Sequence, residues 1–263
     1  WLGHSEVLDS FENCLQFFYE NTTPNDALHP QKPAWICQRF RNAYRYATLY
    51  DRDRRIPVYS AYVYQPGHGK KPHSWWFVEP QLIDRSKPLK AMERESDLIK
   101  KYMFTPEQIK DSQAVLDDYR TLEGLDRGHL CPSGHQDSRE NKTATFTLTN
   151  IVPQDSLLNH GRWNDYEHKT MSKITKGCTS TYVITGAVPG NTNVAEGRVN
   201  RPSHIWSAAC CLVGTEPRYA WGAIAENDKN EVEVVTLGEL ENRLKNLYGG
   251  KTVTLFKDGC RQD

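Results

Sequence analysis

Seven cysteines, at positions 14, 37, 131, 178, 210, 211 and 260, constrain the fold of this chain more than any other feature. They run from near one end to the other without a C-x-x-C pair, which disfavours a four-cysteine zinc site and favours disulfides. Up to three bridges and one leftover cysteine are expected. Cys14 with Cys37 is the expected first pair, stapling the N-terminal segment onto the body, and a loop of that size is worth roughly 3 kcal/mol. The remaining connectivity is open at this level. The adjacent Cys210 and Cys211 suit disulfides on a strand, where neighbouring side chains point to opposite faces. With the N-x-T sequons at Asn21 and Asn141, the cysteines indicate a secretory route and a glycoprotein. Beginning at Trp1 rather than Met, the chain reads as a mature secreted, extracellular protein after signal-peptide removal.

A length of 263 residues suffices for one large core. No run approaches 18 apolar residues, so no membrane span is expected. Lys plus Arg equal Asp plus Glu at 33 each, so any attraction to phosphate must come from a local patch. The oligomeric state has no signature in the sequence.

Residues 5–20 carry Val7, Leu8, Phe11, Leu15 and Phe18 near helical spacing, with Ser5 as N-cap. Arg39 to Arg55 holds six arginines interleaved with Phe40, Tyr44, Tyr46 and Tyr50. That stretch suits an amphipathic helix with a charged outer face, or a nucleic-acid contact through phosphates and ring stacking. IPVYSAYVY alternates as a strand, and Thr105-Pro106 opens a helix over 106–123. TATFTLTNIV reads as a strand, followed by a helix from about 155 to 176 ended by Gly177. TYVITGAVPG, HIWSAACCLVG and RYAWGAIAEN read as strands, and LGELENRLKNLYG as a closing helix. The expected fold is α+β, a mainly antiparallel central sheet flanked by helices, in one domain over 1–263.

The chain has no G-x-x-x-x-G-K-[ST], H-E-x-x-H or G-x-S-x-G motif. Its densest polar stretch begins at Asp126-Arg127-Gly128-His129, which puts a potential base, a guanidinium and a permissive glycine within four residues. Thirty residues on, Asn159, Trp163 and Glu167 stand at i, i+4 and i+8 and would share one helix face. Trp163 reads as core packing rather than base stacking. His135 lies six residues after His129, but no third ligand at a fitting spacing supports a zinc site.

DRGH, TNIVPQ and LN-x-G-x-W-x-x-x-E, in that order, resemble the DNA/RNA non-specific endonucleases of the ββα-metal (His-Me finger) class. ICQRFRNAYRYATLYDRDRRIPVYSAY is similar to the vertebrate endonuclease domain-containing 1 proteins and their secreted relatives. The resemblance covers about 35–247, with the ββα-metal core over about 124–176. It implies hydrolysis of DNA and RNA phosphodiesters with little sequence preference, leaving 5′-phosphates. It gives His129 the role of general base and makes Asn159 the direct ligand of Mg²⁺, with Mn²⁺ or another divalent ion as substitutes. Glu167 would hold metal-bound water, Asn150 would support the site, Arg127 would contact phosphate, and Asp126 would act behind them. A neutral imidazole suits the base role, and Mg²⁺ binds through very few protein oxygens.

Two positions depart from the bacterial pattern of this family. Met171 stands where an arginine is expected one turn after Glu167, and Ser74-Trp75-Trp76 occupies the place of an upstream arginine. Arg162, Lys169, Lys173 or the basic 39–55 stretch are the candidate substitutes. The departures sustain an alternative, a catalytically attenuated extracellular module that binds nucleic acid or protein on a nuclease scaffold.

Overall fold

A computed structural model describes residues 6–261 apart from His68, Lys71, His73 and Ser74. The expected cap at Ser5 and the Ser74 departure therefore lie outside the described residues. In chain order the strands are β1 (Val7–Leu8), β2 (Pro33–Phe40), β3 (Ala43–Asp51), β4 (Ile56–Val63), β5 (Leu125–His129) and β6 (Ile151–Asp155). They continue with β7 (Ser180–Val188), β8 (Thr192–Val194), β9 (Val199–Arg201), β10 (His204–Val213), β11 (Glu216–Glu226) and β12 (Glu233–Val235). Eight of them form one sheet in the order β1-β2-β3-β4-β7-β10-β11-β12, every neighbouring pair antiparallel. The fold is α+β, as expected.

Both faces of this sheet are covered, which is why its central strands read as nearly continuous apolar runs. Val183, Ala209, Cys211 and Ala223 point into one core, shared with Leu130, Ile151, Leu158, Trp163 and Tyr166 of the polar-motif region. Their neighbours Ile184, Ala208, Cys210 and Ile224 point into the other, shared with Phe11, Phe18 and the Leu237, Leu240 and Leu244 face of the closing helix. The disulfides follow the same alternation. Cys210 bonds Cys260 on the second face, and Cys211 bonds Cys178 on the first. Cys14 bonds Cys37, and Cys131 is the free, buried cysteine. No helix among the described residues is long and apolar enough to cross a membrane.

Four expected elements differ. The 5–20 segment is not a helix. Val7 and Leu8 instead add to the sheet edge opposite Ile36 and Trp35, and only single 3₁₀ turns follow. The edge pairing and the Cys14–Cys37 bridge bind this backbone to β2 and outweigh its local periodicity.

Arg39 to Arg55 spans the β2–β3 hairpin rather than an amphipathic helix. Its two-residue loop, Arg41-Asn42, has positive φ at both positions (48° and 63°), the backbone of a type I′ turn without the usual glycine. The helix opened at Thr105 carries a capping box with Gln108 but stops at Ser112 and resumes only over Asp117–Arg120. Arg198 accounts for the break, since its guanidinium bonds the carbonyls of Lys110 and Gln113 and the carboxylate of Asp118. TATFTLTNIV is mostly not strand. A helix over Arg139–Ala144 and a turn over Leu148–Asn150 precede β6. Here the backbone around Thr147 bonds Phe77, while Thr147 and Thr149 bond the buried Glu79.

Candidate active site

The DRGH tetrapeptide occupies the end of β5, paired with β6 so that Gly128 faces Val152 and His129 faces Ile151. A Cβ on Gly128 would fall 2.3 Å from Gln154 Oε1 and 2.6 Å from Gln154 Cβ, so close strand approach demands glycine here. Alternation along β5 places Arg127 and His129 on one side, and Trp76 meets both. The Arg127 guanidinium lies 4.8 Å from the Trp76 ring centre, and the His129 ring lies 5.7 Å from it. Phe146 closes edge-on against His129 at 4.7 Å. Aromatic walls thus fix the imidazole plane.

The other side of β5 carries Asp126. One carboxylate oxygen accepts from Ser156 Oγ at 2.8 Å, and the other accepts from Asn159 Nδ2 at 3.0 Å. His160 Nε2 lies 2.7 Å from that second oxygen. An ionised carboxylate can only accept, so it fixes which way the Asn159 amide faces. The amide nitrogen turns to Asp126, leaving the carbonyl oxygen for the cavity that Asn159 lines.

The segment after β6 is helical but interrupted. Helix Ser156–His160, capped by Asp155, ends at Gly161 with φ −104° and ψ −113°. Arg162–Asp165 follows, then a wide π turn over Tyr166–Thr170 and a last turn over Met171–Ile174. A Cβ on Gly161 would come within 2.4 Å of the Leu157 carbonyl oxygen and of Asn230 Oδ1. The break undoes the expected straight ladder of Asn159, Trp163 and Glu167. Trp163 is buried in the core, while Asn159 and Glu167 both line the cavity. π turns inserted in helices often occur where side chains must be re-aimed.

The cavity holds about 370 Å³ and brings together His129, Asn159 and Glu167. His160, Asn164 and His168 complete its polar wall. Glu167 is half-buried, and desolvation pushes its carboxyl up to about 8. A cation beside it would reverse that shift by favouring the charged form. His135 supports this wall from behind, its Nε2 donating to the Glu167 carbonyl at 2.7 Å and its Nδ1 accepting from the Tyr62 hydroxyl at 2.9 Å. Burial pushes the His135 imidazole down to about 4, so it stays neutral.

Asn150 does not line this cavity. It is fully buried, with Oδ1 accepting from Ser60 Oγ and the Cys131 amide, and Nδ2 donating to the carbonyls of Cys131 and Thr145. Those bonds hold the segment that follows His129 against the start of β6. Met171 is also core-packed rather than cavity-facing. None of Arg162, Lys169 and Lys173 lines the cavity, and Lys169 pairs with Asp165 at 3.2 Å. Imidazoles, those of His129, His160 and His168, stand at this wall instead. His160 and His168 went unread in the sequence, although each directly follows a candidate metal residue.

A divalent ion fits these residues. Among the described residues no group of three or more His, Cys, Asp or Glu could chelate one. An oriented amide oxygen beside a desolvated carboxyl is instead the sparse oxygen set that suits a largely hydrated Mg²⁺.

Residues 23–251 match the family model for DNA/RNA non-specific endonucleases. The chain is 34% identical over 251 residues to the human endonuclease domain-containing 1 protein, covering 92% of this chain and 47% of that one. The mouse counterpart is 31% identical over 95% of this chain and 48% of its own. The chain thus spans about half the length of these relatives. Human mitochondrial endonuclease G is 37% identical over 82 residues, which is 31% of this chain and 27% of that protein. Among solved structures, a chain of the EndoG/EndoGI complex shares the fold with a TM-score of 0.53 and 20% identity, over 80% of this chain and 83% of that one. The motif order, the β5–β6 hairpin with its following helix, and the matched span agree: the chain belongs to the DNA/RNA non-specific endonuclease family.

Proposed function

We propose that this protein is a secreted, Mg²⁺-dependent endonuclease that hydrolyses DNA and RNA with little sequence preference and leaves 5′-phosphates. The observation that carries the proposal is the Asp126–Asn159 hydrogen bond, which turns an amide oxygen toward the cavity shared by His129 and Glu167. A divalent ion bound there would supply positive charge to the scissile phosphate and the departing 3′ oxygen. An imidazole nitrogen of His129 takes a proton from water while the water oxygen bonds to phosphorus. The P–O3′ bond then breaks, and a proton from solvent water passes to the departing 3′ oxygen, giving a 3′-hydroxyl and a 5′-phosphate. Glu167 would accept hydrogen bonds from waters on such an ion, and Arg127, resting on Trp76, reaches the phosphate. Such contacts position a strand without reading its bases.

Three disulfides support an extracellular setting. Asn21 is exposed, whereas the Asn141 amide is engaged by Arg45 and Asp137, which favours Asn21 as the glycosylated sequon. The attenuated binding module stands as the second reading, favoured by one observation: the cavity lining carries neither Arg nor Lys. Cleavage measured across a Mg²⁺ titration separates the two. The nuclease reading expects EDTA-sensitive activity and a raised Mg²⁺ requirement in Asn159→Ala. Metal-indifferent binding without turnover favours the module.

A further inference from the structure

A second cleft lies beside the catalytic cavity, and the mechanism above does not use it. It holds about 470 Å³ and is lined by Phe40, Arg41, Trp75, Phe77, Arg94 and Arg139. The sequence places these residues far apart. The β2–β3 hairpin tip brings Phe40 and Arg41, the segment before Phe77 brings Trp75, and helix Arg139–Ala144 brings Arg139. Trp75 is 56% exposed, a large ring left open to solvent, and the Arg94 guanidinium lies 4.5 Å from its centre. Phe40 packs on Phe77 with ring centres 5.6 Å apart.

Trp75 and Trp76 tie this cleft to the catalytic centre. Trp75 lines the cleft, while its neighbour Trp76 meets His129 and Arg127. Consecutive Cα atoms stand about 3.8 Å apart, so a strand with a phosphate at His129 reaches Trp75 within a few nucleotides.

We propose that this cleft is a subsite for an unpaired base of the substrate strand, stacked on Trp75 and flanked by the arginines. The proposal rests on the nuclease reading and gives it a preference for single-stranded substrate. Exposed rings beside guanidiniums are the usual platform for unpaired bases, since every base has a π face. The charge pattern fits a base better than phosphate alone. Arg41 pairs with Glu140 at 3.8 Å and Arg94 with Asp97 at 3.2 Å, so the cleft is not a bare cationic groove. Glu93 and Asp97 also line it, and carboxylates accept from exocyclic amino groups such as the cytosine N4 amine. A paired base, stacked between its neighbours in a duplex, offers no free face.

The test is binding of a labelled oligo(dC) dodecamer to wild type and Trp75→Ala, measured in EDTA so that cleavage does not intervene. Trp75 is exposed, so its removal leaves the core intact. The subsite predicts about tenfold weaker binding of the single strand in the variant, with less than about a twofold change for the same sequence as a duplex. It also predicts an increased KM for cleaving the dodecamer and an unchanged rate on bis(p-nitrophenyl) phosphate, which is too small to reach Trp75. Unchanged single-strand affinity, or an equal loss on duplex, overturns the subsite. Wild-type protein that binds the single strand but cuts nothing overturns the nuclease reading instead.

Discussion

Asp126 and Asn159, 33 residues apart in sequence, are joined by a 3.0 Å hydrogen bond that sets the direction of the Asn159 amide. The same carboxylate holds Ser156 and His160. If Asn159 holds the ion as proposed, removing the support behind it costs about 10- to 100-fold in metal affinity or activity. Asp126→Ala is therefore expected to lose activity in that range, with part of the loss recovered at high Mg²⁺. Mg²⁺ titrations of cleavage by wild type and variant check this. An unchanged Mg²⁺ requirement would detach Asp126 from the metal.

Gly128 is predicted to be irreplaceable by alanine. The added Cβ would meet Gln154 Oε1 and Cβ well inside contact distance, and such overpacking costs about 1–3 kcal/mol. Urea unfolding should show that loss, with cleavage reduced as His129 shifts at the end of the same strand. A variant of wild-type stability would show that the hairpin adjusts.

The sequence named the candidate side chains but not their geometry. DRGH and LN-x-G-x-W-x-x-x-E name side chains, and the structure brings His129, Asn159 and Glu167 to one cavity. The central strands were equally legible, because Cys210 and Cys211 alternate between two buried faces. Less legible was the break at Gly161, which arises from contact with Asn230, a residue about seventy positions away. The β2–β3 hairpin was hidden because its turn uses Arg41-Asn42 where a glycine would have marked it. Tertiary bonds, from Arg198 to the 110–118 segment and from Glu79 to Thr147 and Thr149, overrode local propensity elsewhere.

Stability should fall in mild acid through His135. Its folded pKa, pushed down by burial to about 4, lies below the ordinary value of 6.5. Between those values the unfolded chain binds a proton that the native state excludes. The contribution is therefore complete above about 6.5 and is lost as pH falls toward 4, by up to about 1.4 kcal/mol per pH unit. The buried Glu6–Glu79 pair, with raised pKa values, acts in the opposite sense. Comparing urea midpoints of wild type and His135→Gln at pH 7 and 4.5 isolates the histidine. An equal acid loss in both would contradict its role.

Reduction should loosen the N-terminal segment. The Cys14–Cys37 bridge closes a separation of 23 residues, so the double Cys→Ala variant should lose roughly 3 kcal/mol. Cys131 forms no bridge, so Cys131→Ala should leave the response to reductant unchanged. Thermal unfolding with and without dithiothreitol checks both. Wild-type stability in the double variant would indicate that the β1–β2 pairing alone secures the segment.

The most direct test of the central claim is nicking of supercoiled plasmid, and digestion of total RNA, by wild type and His129→Ala in Mg²⁺ and in EDTA. Wild type is expected to cleave in Mg²⁺ alone, and a folded, disulfide-intact His129→Ala is expected not to cleave. Comparable cleavage by the variant would remove His129 from the base role. No cleavage by wild type would leave a binding module on a nuclease fold.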